Sequence, residues 1–154
     1  MRIRDVMCRP VASCTKETVL PAAARLMFEN DCGALPVVEA GKVVGMITDR
    51  DICMALGKRE KPATVKVGDV MTPHAETMNE TDEAREALTV MANRRVRRLP
   101  ILDARGRLSG ILSLDDLAVR AEEPSPLGAV ALSYRDVFEA FRAICGRRPI
   151  RKSA

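Results

Sequence analysis

An internal repeat constrains the fold of this chain more than any other feature of its sequence. Residues 41–52 read GKVVGMITDRDI, and residues 106–117, which lie 65 positions further on, read GRLSGILSLDDL. Two earlier segments recur 64 positions later: DVM at 5–7, and LPVV at 35–38, which returns as LPIL. A unit of about 55 residues buries little surface on its own. We therefore expect the two copies to share one core and to pack about a pseudo-twofold axis.

The first helix of each copy is predicted by apolar residues at helical spacing. These residues are Leu20, Ala23, Ala24 and Met27 in the first copy, and Ala84, Ala87, Leu88 and Met91 in the second. Thr18 and Asp82 stand where the side chain of an N-cap residue is expected. Pro21 falls in the first helical turn, where its missing N–H group costs nothing.

Two short apolar runs follow each first helix and predict a β-hairpin. The runs are 34–39 and 43–48 in the first copy, and 99–102 and 108–112 in the second. A second helix is expected at 49–56, ended by Gly57, and at 114–123, ended by Pro124. Short lead-in strands are expected near 11–14 and 75–78. The order helix, strand, strand, helix thus occurs twice, which predicts a fold of the α/β (α+β) class.

The chain divides into four segments. The first copy spans 1–57, a charged linker spans 58–65, the second copy spans 66–123, and a tail spans 124–154. Within the tail, an amphipathic helix is expected at about 133–145. Its apolar stripe consists of Tyr134, Val137, Phe138, Phe141, Ile144 and Cys145. This stripe has to be covered, either by the chain's own repeats or by a second copy or another partner.

The composition is that of a folded globular protein, with 47% hydrophobic and 30% charged residues among 154. No apolar run reaches the roughly 18 residues that span a bilayer, and the first residues lack the apolar stretch of a signal peptide. We therefore expect no membrane insertion and a cytoplasmic location. The five cysteines form no CxxC pair and there is one histidine, so neither a zinc site nor a disulfide framework is indicated.

The repeated segments resemble a tandem pair of CBS domains, also called a Bateman module. The resemblance rests on the DVM lead-in, the LPVV strand and the glycine-bounded strand that runs into Ser/Thr-x-x-Asp, and it covers about residues 2–122. Within that family, the chain resembles the small stand-alone bacterial proteins. It implies two β-α-β-β-α repeats, commonly assembled as a homodimer. It also implies clefts that bind an adenosine-containing ligand such as AMP, ADP, ATP or S-adenosylmethionine.

The Ser/Thr-x-x-Asp motif at the start of each second helix has two interpretations. A helix N-terminus carries free N–H groups that favour an anion. The resemblance implies that Asp51 and Asp116 accept hydrogen bonds from ribose hydroxyls, and that Thr48 and Ser113 bond ribose or phosphate oxygens. The same residues also match a capping box, which stabilises the helix and needs no ligand.

The two copies differ most just before the Leu-Pro strand. The second copy has RRVRR at 94–98, whereas the first has NDCGA at 30–34. The resemblance implies that Arg97 and Arg98 contact phosphate, which a guanidinium group binds in bidentate fashion. The alternative is a solvated basic end of the preceding helix. Because Gly33 and its neighbour supply no such clamp, we expect unequal sites, with phosphate held by the second copy.

These features favour a non-catalytic regulatory sensor. An adenosine ligand would shift the module between two arrangements, and a protein effector or self-association would read the change. The alternative is a structural or partner-binding protein with vestigial clefts that acts through its C-terminal helix. An enzyme has little support, because His74 stands without a nucleophile or metal-ligand set. Nucleic acid is disfavoured as a partner: the net charge is +4, but only 3% of the residues are aromatic.

Overall fold

The computed structural model describes residues 1–57, 62–123 and 131–146. Its helices and strands are, in chain order, α1 (Leu20–Glu29), β1 (Ala34–Glu39), β2 (Lys42–Thr48), α2 (Asp49–Leu56), β3 (Thr72–Pro73), β4 (Met78–Asn79), α3 (Ala84–Arg94), β5 (Arg98–Leu102), β6 (Leu108–Ser113), α4 (Leu114–Val119) and α5 (Tyr134–Cys145). The predicted α/β fold, with helix, strand, strand, helix twice and a C-terminal helix, is confirmed. Part of the predicted linker, at 58–61, and parts of the tail, at 124–130 and 147–154, lie outside the described residues.

Each copy builds a hairpin within its own three-stranded sheet. The antiparallel pair β1 and β2 sets Ala34 opposite Thr48, and the pair β5 and β6 sets Arg98 opposite Ser113. The remaining strand of the second sheet, β4, pairs in parallel with β5. In the first copy the predicted lead-in strand is reduced to a single parallel bridge between Cys14 and Val37.

The two sheets exchange segments of chain. β3 follows the second DVM segment but pairs with β2 of the first copy. In the same way, Cys8 follows the first DVM segment and forms an antiparallel bridge with Ile111 in β6 of the second copy. Each copy therefore borrows a piece of backbone from the lead-in of the other, and this exchange holds the two halves together.

The buried apolar residues form two clusters rather than the single shared core that we expected. One cluster packs α1 and α2 against the first sheet and includes Val65 and Val67 from the segment before β3. The other packs α3, α4 and α5 against the second sheet and includes Ile3 and Val6 from the N-terminus. Each sheet buries the face that its own helices cover, because a sheet and its amphipathic helices already form a closed layer pair.

The C-terminal helix α5 packs on α3 and α4 of the second copy. Leu132 and Ala140 are buried there, and Arg85 pairs with Asp136 at 2.8 Å. The apolar stripe is nevertheless covered only in part, because Tyr134 and Phe138 remain 52% and 59% exposed. The apolar stripe of α5 is thus covered by the second copy along one edge only.

Three predicted helix ends were wrong. α1 begins after Val19 rather than after Thr18, whose hydroxyl instead accepts a hydrogen bond from the N–H of Thr15. Likewise, the Asp82 carboxylate accepts the N–H of Asn79, and α3 begins one residue later than predicted. α4 ends at Val119 instead of residue 123, because Glu122 exchanges backbone hydrogen bonds with the segment that leads into α5.

Candidate functional site

Two of the clefts between the copies are lined by residues predicted for the site. The first, of about 360 Å³, is called the Asp116 cleft and is lined by Cys8, Pro10, Val11, Ala12, Asn30, Asp31, Cys32, Gly33, Ala34, Arg98, Ile111, Ser113, Asp115 and Asp116. The second, of about 390 Å³, is called the Thr48 cleft and is lined by Ala34, Met46, Thr48, Asp49, Arg50, Thr72, His74, Ala75, Glu76, Arg94, Val96, Arg97 and Arg98. Both volumes are in the range of small-molecule sites.

The two clefts are pseudo-symmetric counterparts. Ser113 in one occupies the place that Thr48 takes in the other, and Cys8 corresponds in the same way to Thr72. Each cleft combines the strand-to-helix motif of one copy, the lead-in that has crossed to that sheet, and residues before the Leu-Pro strand of the opposite copy. This composition follows directly from the exchange of lead-in segments between the sheets.

In the Asp116 cleft, the capping box and an accessible carboxylate coexist. Asp116 Oδ2 accepts hydrogen bonds from the Ser113 N–H at 2.7 Å and the Ser113 hydroxyl at 2.6 Å, while the Asp116 N–H donates to Ser113 Oγ at 3.1 Å. The second oxygen, Oδ1, accepts a weak bond from the Cys8 thiol at 3.4 Å. One carboxylate oxygen therefore stabilises the helix, and the other has, among the described residues, the Cys8 thiol as its only partner.

The Cys8 thiol is kept in its protonated form. Burial raises its pKa, and the hydrogen bond to Asp116 and the charge of that carboxylate raise it further. Since the thiolate is the nucleophilic form of cysteine, this environment makes Cys8 a poor nucleophile.

In the Thr48 cleft the motif is used differently. The Asp51 carboxylate accepts hydrogen bonds from the Thr48 N–H at 2.9 Å and from its hydroxyl at 2.7 Å, which completes the second capping box. Thr48 lines the cleft, but Asp51 is not among the residues that do. Asp116 thus lines its cleft directly, whereas Asp51 lies behind Thr48 in the second capping box.

The two predicted phosphate ligands are placed differently. Arg97 lines the Thr48 cleft, whereas Arg98 lines both that cleft and the Asp116 cleft, where Ser113 lies. Contact of either arginine with phosphate stays a prediction.

The two clefts differ in charge. Four arginines line the Thr48 cleft together with two carboxylates, Asp49 and Glu76. Glu76 Oε2 pairs with Arg94 Nε at 2.9 Å. In the described part of the chain, the side chains of Arg50, Arg97 and Arg98 make no ion pair. The Asp116 cleft instead has Asp31, Asp115 and Asp116 against Arg98 alone.

Several residues of the clefts were missed by the sequence interpretation. His74, Arg50 and Asp115 all line a cleft, and Asp31 and Cys8 do as well. Arg50 and Asp115 occupy equivalent positions at the 65-residue offset, so the sequence could have indicated that the two clefts differ in charge. The sequence did not indicate that each lead-in segment crosses to the sheet of the other copy, which decides which residues line one cleft.

A CBS domain model matches residues 3–58 and 67–123 of this chain. The chain belongs to the CBS domain family. The CBS domain-containing protein YhcV of Bacillus subtilis is 37% identical to it over 117 residues, which are 76% of this chain and 83% of that relative. The resemblance stated from the repeated motifs is thereby confirmed.

Two solved CBS structures are also similar to this CBS pair. The crystal structure of Hypoxic Response Protein I with two coordinated zinc ions is 32% identical, with a TM-score of 0.71, and the match covers 79% of this chain and all of that one. The crystal structure of CBSX2 in complex with AMP is 28% identical, with a TM-score of 0.65, covering 75% and 91% of the two chains.

The described part of this CBS pair contains neither a cluster of metal ligands nor a membrane-spanning helix. Within residues 1–57, 62–123 and 131–146, no three His, Cys, Asp or Glu side chains are grouped so that they could hold a metal ion. Among the helices described, none has the length and apolar character needed to cross a membrane.

Proposed function

We propose that this CBS pair is a non-catalytic regulatory module that binds an adenosine-containing ligand in the clefts between its repeats. The observation that carries the proposal is the Asp116 carboxylate, which caps α4 through one oxygen and leaves the other facing only the Cys8 thiol. A ribose hydroxyl is a stronger donor than a thiol and would replace it. The AMP bound by the similar CBSX2 supports this class of ligand.

The charge of the clefts suggests which ligand suits each. The Thr48 cleft offers the guanidinium groups of Arg97 and Arg98 at the N-terminus of α2, a combination that favours phosphate. Most of the charged side chains that line the Asp116 cleft are carboxylates, which favours an adenosine ligand with little negative charge. We therefore assign a nucleotide such as AMP, ADP or ATP to the Thr48 cleft, and an uncharged or cationic ligand such as S-adenosylmethionine to the Asp116 cleft.

A regulatory role is favoured over an enzymatic one by the placement of the reactive groups. Cys8 has a raised pKa, and His74, the one histidine of the chain, lines the opposite cleft. A thiol nucleophile needs a nearby base to form its thiolate. Occupancy of the clefts would instead bias the arrangement of the two copies.

The output of the module would be read by a protein effector or by self-association. The outer face of α5 is suited to this, since Tyr134, Phe138 and Phe141 are exposed on it. The same face supports the second candidate function, a partner-binding protein with vestigial clefts. Light scattering tests the homodimer that we propose: a mass of one chain at high micromolar concentration would contradict it.

Calorimetric titration tests the proposed function. The intact chain is titrated with AMP, ADP, ATP, S-adenosylmethionine and cyclic dinucleotides. We expect saturable binding of at least one adenosine ligand, with AMP bound more tightly than adenosine. Absence of heat and of a thermal shift with every ligand would reject the sensor and leave the partner-binding alternative.

A further inference from the structure

Arg98 occupies a special place between the two clefts. Positions 34 and 98 are equivalent in the two copies, and both line both clefts. Residues shared by two symmetry-related clefts lie beside the axis that relates the clefts. Among residues 1–57, 62–123 and 131–146, Ala34 is the other shared residue, so Arg98 is the one charged side chain common to both linings.

The guanidinium group of Arg98 and the carboxylate of Asp49 both lie beside Gly33. Among the described residues, the Arg98 side chain makes no hydrogen bond or ion pair. Arg98 Nη2 lies 3.7 Å, and Asp49 Oδ2 lies 2.9 Å, from the point that a Cβ atom on Gly33 would occupy. A larger residue at 33 would crowd this space, and an arginine at 34 would set two like charges beside the axis. The small pair Gly33 and Ala34 thus keeps open the space beside Arg98, which has a long and flexible side chain.

We propose that Arg98 is a shared anion-binding residue that couples the two clefts; this inference rests on the proposed function of both. An anion in the Thr48 cleft draws the guanidinium group towards Arg97. The Asp116 cleft then loses the one cation in its lining and keeps the carboxylates of Asp31, Asp115 and Asp116. A second anionic ligand consequently binds there more weakly, and a cationic adenosine ligand binds more tightly.

The coupling is measured with two probes of opposite charge on the intact chain. Inorganic pyrophosphate serves as the anion for the Thr48 cleft, and S-adenosylmethionine, with a net positive charge, serves as the ligand for the Asp116 cleft. S-adenosylmethionine is titrated calorimetrically with and without saturating pyrophosphate. We expect pyrophosphate to tighten its binding about fivefold, at the lower end of typical coupling between sites.

Two variants separate a shared arginine from simple attraction through space. Arg98→Gln removes the shared cation, so pyrophosphate should then change the affinity for S-adenosylmethionine less than twofold. Arg97→Gln is the matched control, because Arg97 lines only the Thr48 cleft. It should weaken pyrophosphate binding and yet preserve the fivefold effect once pyrophosphate is raised to saturation.

The outcomes distinguish this inference from the function on which it rests. Binding of both probes without mutual influence, or an undiminished influence in Arg98→Gln, overturns the coupling and leaves the two ligand sites intact. Failure of pyrophosphate to bind overturns the coupling and the assignment of phosphate to the Thr48 cleft. Failure of every adenosine ligand to bind overturns the proposed function together with the coupling.

Discussion

Asp51 and Asp116 form the same helix cap in different surroundings, and this difference separates stability from binding. Replacing either by alanine removes one capping box and should lower the free energy of unfolding by about 1 kcal/mol. Asp116 lines the cleft to which we assign S-adenosylmethionine, so we expect Asp116→Ala to weaken S-adenosylmethionine binding at least tenfold and Asp51→Ala to leave it within twofold. Urea unfolding and calorimetry measure the two effects. Equal loss of affinity in both variants would show that the cap alone matters.

The residue types of the site could be predicted from the sequence, but their grouping could not. Thr48, Ser113 and Asp116 line the clefts because a strand that runs into a helix N-terminus places them there. Arg97 lines the Thr48 cleft rather than the cleft of Ser113 and Asp116, because which motif it lies near depends on the exchange of lead-in segments. That exchange is decided by backbone pairing over a long sequence distance, which short motifs do not encode.

At the scale of elements, the docking of α5 should depend on the charge of Asp136. The Ser133 hydroxyl, followed by the Ser133 N–H and Arg85, lowers the pKa of Asp136 below its ordinary value. A lowered native pKa means that the stabilisation is complete above the unfolded pKa of about 3.9 and is lost as the pH falls through the native value. We therefore expect α5 to loosen below about pH 4.

Tyr134 provides a local measurement of this change, because it is the one tyrosine of a chain without tryptophan and begins α5. Its fluorescence anisotropy should fall as the wild-type protein is acidified. Asp136→Asn imitates the neutral acid, so its anisotropy should already be low at pH 7 and change less with acid. Superimposable curves for the two proteins would contradict the role of Asp136.

The elements themselves were largely predictable, because hydrophobic period and turn residues are local. α2 and β1 have the predicted bounds, and α5 starts within one residue of the expected position. α4 is shorter than predicted because the backbone of Glu122 pairs with Leu132 and Tyr134, a contact that helical periodicity does not predict. The docking of α5 on the second copy fits a difference between equivalent positions of the two copies. In the second copy this position is Ala92, which packs against the buried cluster, whereas in the first copy it is Phe28, which is 87% exposed.

At the scale of the whole molecule, stability should depend on two glycines that let the exchanged lead-ins approach. A Cβ atom on Gly110 would lie 2.9 Å from the Cys8 carbonyl oxygen, and one on Gly45 would lie 2.6 Å from that of Thr72. We expect Gly110→Ala and Gly45→Ala each to lower the free energy of unfolding by about 1–3 kcal/mol. Gly57→Ala is the control, since its nearest neighbour would be 3.9 Å away. Equal free energies of unfolding for the three variants, measured with urea, would contradict the role of the exchanged lead-in segments.

The duplication correctly predicted a pseudo-twofold architecture but not the number of cores. Both copies bury their own apolar faces. Each core also takes in a residue that precedes the lead-in of the other copy, Val65 in the first core and Ile3 in the second. Apolar periodicity reports that a face is buried; it does not report which other face covers it.

We propose above all that the two clefts are unequal and that phosphate binds in the Thr48 cleft. A crystal structure of the intact chain with AMP tests this claim most directly. We predict the phosphate within hydrogen-bond distance of the Arg97 guanidinium group, near the N-terminus of α2. A phosphate beside Ser113 and Asp116, or clefts without AMP at a saturating concentration, would contradict the account.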